Sequence, residues 1–289
     1  MKTSLSVIEP AHFKLDGGAM FGIIPRPLWE KKIKPDEYGR IPLALRLLLI
    51  ETEDRKILLD TGIGDYHGEN FMSQFDIPKE KFPLTKALEE RQLKPHDITD
   101  IILSHLHFDH VGGLFTIAQG EPLPCFPRAV IHLHKKHYQY ALAPTPRDSG
   151  SFQSQFFIPI IQHYEQEGKI HWLEGEEGSI CEDLKFKTSM GHTPYMIHPY
   201  NDDFIYLADL IPTEAHLPPA WVMGYDISPG ITSVEKNLFL DFALEKNLLC
   251  FFEHDHQSYG GHIKKNSKGH FICEPLYKSK RKKIYSIHY

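Results

Sequence analysis

The sequence predicts an α/β chain: two mixed β-sheets packed on each other, with helices covering their outer faces. Three observations lead there. Short apolar runs that read as strands recur along the whole chain. Segments with apolar residues at helical spacing are interspersed among them. Residue types that bind metals return again and again where those strands end.

In order, Leu5-Ser6-Val7-Ile8 alternates as a strand, and Gly17 to Pro25 follows as a glycine-punctuated apolar loop with Trp29 close behind. That loop is either buried packing or a greasy wall over a pocket. Residues 42–51 and 55–60 form a hairpin about Glu53-Asp54-Arg55, which sets Asp60 at a strand end before the turn Thr61-Gly62. Leu84 to Arg91 has helical spacing and feeds the strand Asp100-Ile101-Ile102-Leu103. A strand at 129–133 precedes helices at Lys135–Ala143 and Phe157–Gln166, joined by a turn-rich, mobile loop. Strands resume at 169–173, 184–189 and 203–208, the last closed by Asp209. Ser233 to Asn247 is an amphipathic helix with a Thr/Ser cap, followed by the buried strand Leu248–Phe252 and a hairpin across Asn266–Gly269. No linker or short repeat interrupts the 289 residues, so one domain over 1–289 is expected.

Hydrophobic residues make up 41% and charged residues 24%, the balance of an ordinary soluble globular chain. A net charge of −6 offers no overall attraction to a polyanion, which argues against nucleic acid as a partner. The N-terminus lacks the apolar core of a secretory signal, and no run reaches the roughly twenty apolar residues needed to span a bilayer. A cytoplasmic protein is expected. The four cysteines are scattered, form no CxxC pair and read as reduced core thiols. The basic run Lys278 to Lys283 reads as a solvated tail.

The 19 histidines draw attention to metal chemistry. In Ser104-His105-Leu106-His107-Phe108-Asp109-His110-Val111-Gly112-Gly113, three imidazoles and a carboxylate fall within six positions, directly after a strand. Borderline-soft divalent ions take imidazole nitrogen and carboxylate oxygen. His105 and His107 share one side of an extended chain, whereas Asp109 and His110 fall where it turns. Two metals are therefore easier to serve than one. Further ligand types follow at His192 in Gly191-His192-Thr193-Pro194, at Asp209 and at His254.

In these residues the chain resembles the metallo-β-lactamase superfamily, in the right order over nearly its whole length. The resemblance implies that family's four-layered αββα sandwich and a binuclear centre. Carried over, His105, His107 and His192 bind one divalent ion, Asp109, His110 and His254 the other, and Asp209 bridges them. His254 is preferred over His256 because it directly follows the strand and precedes Asp255; His256, His262 and His270 remain alternatives. Zinc is expected first, with manganese, cobalt or iron as alternatives. Asp60, at its strand end, would cap the glycine turn or orient a ligand histidine, and Asp255 would likewise support a ligand side chain. Asp209 argues against antibiotic hydrolysis, His107 against a flavodiiron role, and the short stretch after His256 against a glyoxalase II domain. The remaining branch resembles N-acyl homoserine lactonases and methyl parathion hydrolase, as does the opening Gly17-Gly18-Ala19-Met20-Phe21-Gly22.

The function this implies is hydrolysis of a lactone or other small ester by a metal-bridging hydroxide, with Asp109 and Asp209 as catalytic carboxylates. Phosphotriester hydrolysis and mononuclear iron chemistry of the persulfide-dioxygenase type are the alternatives. Met20, Phe21, Ile23, Trp29 and Trp221 would line an apolar pocket, and His216 or Tyr225 would supply a proton donor. Two positions depart from the branch: Tyr195 and Met196 replace the usual glycine and histidine after Gly-His-Thr-Pro, and Pro212 stands where many lactonases have a tyrosine. The sequence does not fix the oligomeric state, a homodimer included.

Overall fold

The computed structural model describes residues 4–181 and 183–277. In chain order it runs β1 (Ser4–Asp16), α1 (Gly17–Phe21), α2 (Arg26–Trp29), β2 (Arg40–Glu51), β3 (Lys56–Leu59), α3 (Glu69–Phe75) and α4 (Pro83–Glu89). Then come β4 (Asp100–Ile102), α5 (Phe108–Val111), β5 (Phe115–Ala118), β6 (Glu121–Pro124), β7 (Val130–His134), α6 (Lys135–Leu142), α7 (Ser154–Gln166) and β8 (Ile170–Leu173). The remainder is β9 (Glu177–Cys181), β10 (Leu184–Ser189), β11 (Met196–Tyr200), β12 (Phe204–Tyr206), α8 (Pro229–Glu245), β13 (Leu249–Phe251), β14 (Ser258–Lys265) and β15 (Phe271–Tyr277).

The chain divides into two compact units, the first built from residues 4–11 and 45–174, the second from 12–44 and 175–277. A six-stranded sheet has the order β1-β2-β3-β4-β7-β8. Its strands β3, β4, β7 and β8 run parallel, and β4, Asp100-Ile101-Ile102, is buried along its full length, as expected of parallel strands covered on both faces. Leu58, Ile101, Ile131, Leu133, Phe157 and Ile161 share the core of the first unit. A seven-stranded sheet of order β15-β14-β13-β12-β11-β10-β9 lies wholly in the second unit, parallel at β12/β13 and antiparallel elsewhere. Both sheets are thus mixed or accompanied by helices, as an α/β chain requires. Among the described residues no helix is long and apolar enough to cross a membrane.

Several elements differ from expectation, each for a local reason. The glycine-punctuated segment after β1 winds into the short helix α1, because the Asp16 carboxylate accepts the Ala19 N–H at 2.7 Å and caps its first turn. Helix α8 starts at Pro229, four residues before the expected Ser233, since proline is pre-organised for a first helical position and needs no N–H partner there. Helix α7 begins at Ser154, so Pro159 sits inside it; burial of Phe157, Ile160, Ile161 and Tyr164 offsets the lost hydrogen bond. The strands β9 and β11 and the β5–β6 hairpin escaped the sequence reading. The basic run from Lys278 lies outside the described residues.

Candidate metal centre

Each unit carries its own set of metal-type ligands, and in each the scaffold fixes the rings before any ion is considered. In the first unit, β3 ends at Asp60, which takes a left-handed backbone (φ 58°) and donates its N–H to Ile102 O at 2.9 Å. Its fully buried carboxylate then accepts three bonds: from Ser104 N (2.7 Å), Ser104 Oγ (2.6 Å) and His110 Nδ1 (3.0 Å). Ser104 Oγ in turn lies 3.0 Å from His105 Nδ1. Because Nδ1 of both rings is engaged by an acceptor, Nε2 is the nitrogen that carries a lone pair.

The backbone beneath this motif is packed too tightly for side chains. A Cβ on Gly113 would stand 2.1 Å from Thr61 O, and one on Gly112 2.3 Å from Ile63 O. These contacts, with Thr61 N–H donated to His110 O at 2.8 Å, force the chain to turn straight after β4. His105, His107, Asp109 and His110 are consequently all buried. His105 lies with its ring centroid 4.5 Å from that of His107 and 3.9 Å from that of His110. The ligand atoms of His105 and His107 come within 4.8 Å of each other, as do those of Asp109 and His110.

In the second unit the candidate ligands come from three separate loops. Asp209 is the hub: one carboxylate oxygen is 3.1 Å from His192 Nε2, the other 3.0 Å from His254 Nε2. The far nitrogen of each ring is again anchored, His192 Nδ1 on Asp226 at 2.9 Å and His254 Nδ1–H on Ala44 O at 2.8 Å. Burial opposes a charge on His192, yet the Asp209 and Asp226 carboxylates outweigh it and push its pKa up to about 9. The surroundings of this ring therefore favour a cation. Ala208, next to Asp209, holds a left-handed backbone (φ 43°), a strained conformation that only over-determined surroundings maintain.

The donor chemistry fits divalent ions in both units. Imidazole nitrogens with anchored partners, available to a metal once deprotonated, together with buried carboxylate oxygens, form the set that zinc and its neighbours prefer.

The expected pocket residues all belong to the second unit. Phe21 is stacked between His216 (4.6 Å) and Trp29 (5.4 Å), with the edge of Trp221 at 5.7 Å. Met20 is buried and its carbonyl accepts His216 Nε2–H at 2.8 Å, while Thr213 Oγ1 donates to His216 Nδ1 at 2.7 Å. Burial, reinforced by the Lys236 charge, pushes the His216 pKa down to about 3, so this ring is a neutral strut with both nitrogens committed. Ile23 is 86% exposed and stands apart from that stack, and Tyr225 is half-buried. Asp255 caps the turn after β13, accepting from Gln257 N, Ser258 N and Glu214 N. Pro212 O accepts the His254 N–H at 3.0 Å. Tyr195 adopts the left-handed conformation (φ 60°) that glycine would take without strain.

Two features escaped the sequence reading. Asp226, the partner of His192, lies 34 positions away in sequence, with no local signal linking them. In the first unit, Phe108 sits between two candidate ligands and packs edge-on to Phe71 (5.2 Å) and near Phe75 (5.9 Å), with His67 stacked on Phe71 at 4.5 Å. Helical spacing of Phe71 and Phe75 was the available signal for this aromatic ledge.

Residues 47–254 match the metallo-β-lactamase superfamily, and the chain belongs to it. An N-acyl homoserine lactonase from Bacillus cereus is 42% identical over 74 residues, which make up 22% of this chain and 30% of that protein. The chain's match therefore spans less than a third of that relative's length. A probable metal-dependent hydrolase from Staphylococcus aureus superimposes with a TM-score of 0.83 at 25% identity, covering 97% of this chain and 98% of that one. AidC, a dizinc quorum-quenching lactonase, shares the fold at a TM-score of 0.74 and 23% identity, covering 96% and 95%.

Proposed function

We propose that the two units act as one catalytic domain and that their ligand sets together hold two divalent ions, for hydrolysis of lactones of the N-acyl homoserine type. His105, His107 and His192 would hold one ion, Asp109, His110 and His254 the other, and Asp209 both. The observation that carries the reading is Asp209, whose two oxygens each meet the Nε2 of a different anchored imidazole. When bound, such ions supply a water nucleophile at neutral pH and polarise a carbonyl or phosphoryl oxygen.

The chain's own residues do the rest. Asp60, Ser104, Asp226 and Ala44 O hold four imidazoles in the tautomer that presents Nε2. Asp109, a carboxylate on the same turn as His110, carries a proton to the departing alkoxide. Phe108, Phe71 and Phe75 offer an apolar ledge suited to an acyl chain. No protein nucleophile is required, and the thiols are poor candidates: burial pushes Cys125 up to about 11 and Cys250 higher still. Among the described residues no disulfide joins the four cysteines, which suits a protein of the reducing cytoplasm. Zinc is the ion we assign, by the donor set and the dizinc lactonase relative.

The test is proton release on ring opening of short- and long-chain N-acyl homoserine lactones by zinc-, manganese- and cobalt-loaded protein. Turnover is expected, and Asp209→Ala should abolish it while lowering metal content. Two bound metals with no lactone turnover would overturn the substrate and direct the search to phosphotriesters. Failure to take up metal would overturn the hydrolase.

A further inference from the structure

We propose that Glu235 and Lys236, neighbours on α8, are positioning residues that set two parts of the candidate centre independently: Glu235 fixes the loop bearing His192, and Lys236 fixes the loop bearing Trp221. The inference rests on the proposed function for its substrate readouts, but not for its metal readout. Consecutive helical residues point about 100° apart, so the two side chains reach different loops.

Glu235 uses both carboxylate oxygens on backbone donors: Oε1 accepts Met190 N–H at 2.7 Å and Oε2 accepts Gly191 N–H at 3.0 Å. From the chain just before α8, Ser228 N–H reaches Gly191 O (2.8 Å) and Ile227 N–H reaches His192 O (3.1 Å). The fit is close enough that a Cβ on Gly191 would stand 2.3 Å from Thr232 N. The backbone leading into His192 is thereby held on both its donor and acceptor sides. Only an ionised carboxylate offers two acceptors without a competing donor.

Lys236 is fully buried, and its ammonium donates to Pro218 O (3.0 Å) and Trp221 O (2.8 Å). Pro218-Pro219 lacks N–H groups and joins no sheet ladder, so the carbonyls of this loop need a donor from elsewhere. Burying an ammonium costs stability that an apolar side chain of similar size would not. A brace needed only for folding would not require it. Trp221 in turn meets Phe21 and its stack, and the Asp226 turn lies between the two gripped loops, accepting Met223 N–H at 3.2 Å.

The experiment compares full-length zinc-loaded protein with Glu235→Gln and Lys236→Met, using thermal melts to confirm folding. Metal retention is read against a competing chelator, and kcat and KM over a lactone series. Glu235→Gln should weaken one of two metal equivalents by about ten-fold, the usual effect of disturbing a ligand's support. Lys236→Met should keep both equivalents and raise KM several-fold for long-chain substrates, with kcat within about two-fold. Lys236→Gln, which retains a donor, should recover part of the KM and replaces the methionine variant if that fails to fold. Unchanged metal retention in Glu235→Gln, or metal loss in Lys236→Met, overturns the proposal. If wild-type protein opens no lactone, the substrate reading fails separately. The Lys236 arm then reads acrylamide quenching of Trp221 in a Trp29→Phe, Trp172→Phe background, where greater quenching supports the role and unchanged quenching overturns it.

Discussion

The two units present their ligands in opposite ways. In the first, four ligand-type residues come from one turn between His105 and His110, and a single buried carboxylate, Asp60, ties that turn to the preceding strand. In the second, His192, Asp209 and His254 come from three loops, and the two rings are anchored on different partners, Asp226 and Ala44 O. A contiguous motif shares one support. A dispersed set needs one support for every ligand, and so has more places at which it can fail singly.

That contrast is open to direct challenge. Asp60→Ala and Asp226→Ala should each lower metal affinity by about 10–100-fold, as loss of a partner to a ligand imidazole does. They should differ in scope. Asp60→Ala leaves Ser104 N and Oγ without their acceptor and should also reduce stability, by about 2–3 kcal/mol in denaturant unfolding. Metal loss confined to one equivalent in Asp226→Ala, against both in Asp60→Ala, would sharpen the comparison; equal, single-equivalent losses would break it.

Lys236 gives the second unit a pH dependence of its own. Burial pushes its pKa down from 10.5 to about 7, so the folded chain binds fewer protons than the unfolded chain between those values. Stability should therefore rise with pH across that window, by about 3–5 kcal/mol at most, with the penalty fully present below pH 7. Unfolding of Lys236→Met over pH 7–10 should show a flatter slope than the wild type.

Smaller effects probe the backbone. Gly113→Ala must displace Thr61 O from 2.1 Å and should cost about 3 kcal/mol, measurable in the unfolding midpoint. Tyr195→Gly should do the reverse, gaining about 1 kcal/mol by relieving a left-handed residue, provided the loss of its side-chain packing is small. A loss instead of a gain would mean that the tyrosine ring contributes more than its backbone conformation costs.

Several parts of this chain were legible from sequence because their signal is local. The buried strand β4, the motif directly after it, the orienting role of Asp60 and the helices α4 and α6 all follow from short-range periodicity and spacing. His192, Asp209 and His254 stood out as ligand types at strand ends, but their grouping into one set came only through family resemblance, because nothing in composition ties a histidine at 192 to an aspartate at 209. The start of α8 was misjudged because capping residues at Thr232 and Ser233 compete with a proline at 229, and packing decided between them.

By itself, the sequence determined which chemistry was available: imidazoles and carboxylates in a spacing that one short turn can converge, beside glycines that permit the turn. Tertiary structure alone decided which nitrogen of each ring carries the lone pair, since that depends on Asp60, Asp226 and Ala44 O brought close by strand pairing and loop docking. It also decided that His216 is a neutral strut and that Lys236 is buried. A residue's type sets what bonds it can form. Partners distant in the chain set which of them it does form, and these become neighbours only when the sheets and helices have packed.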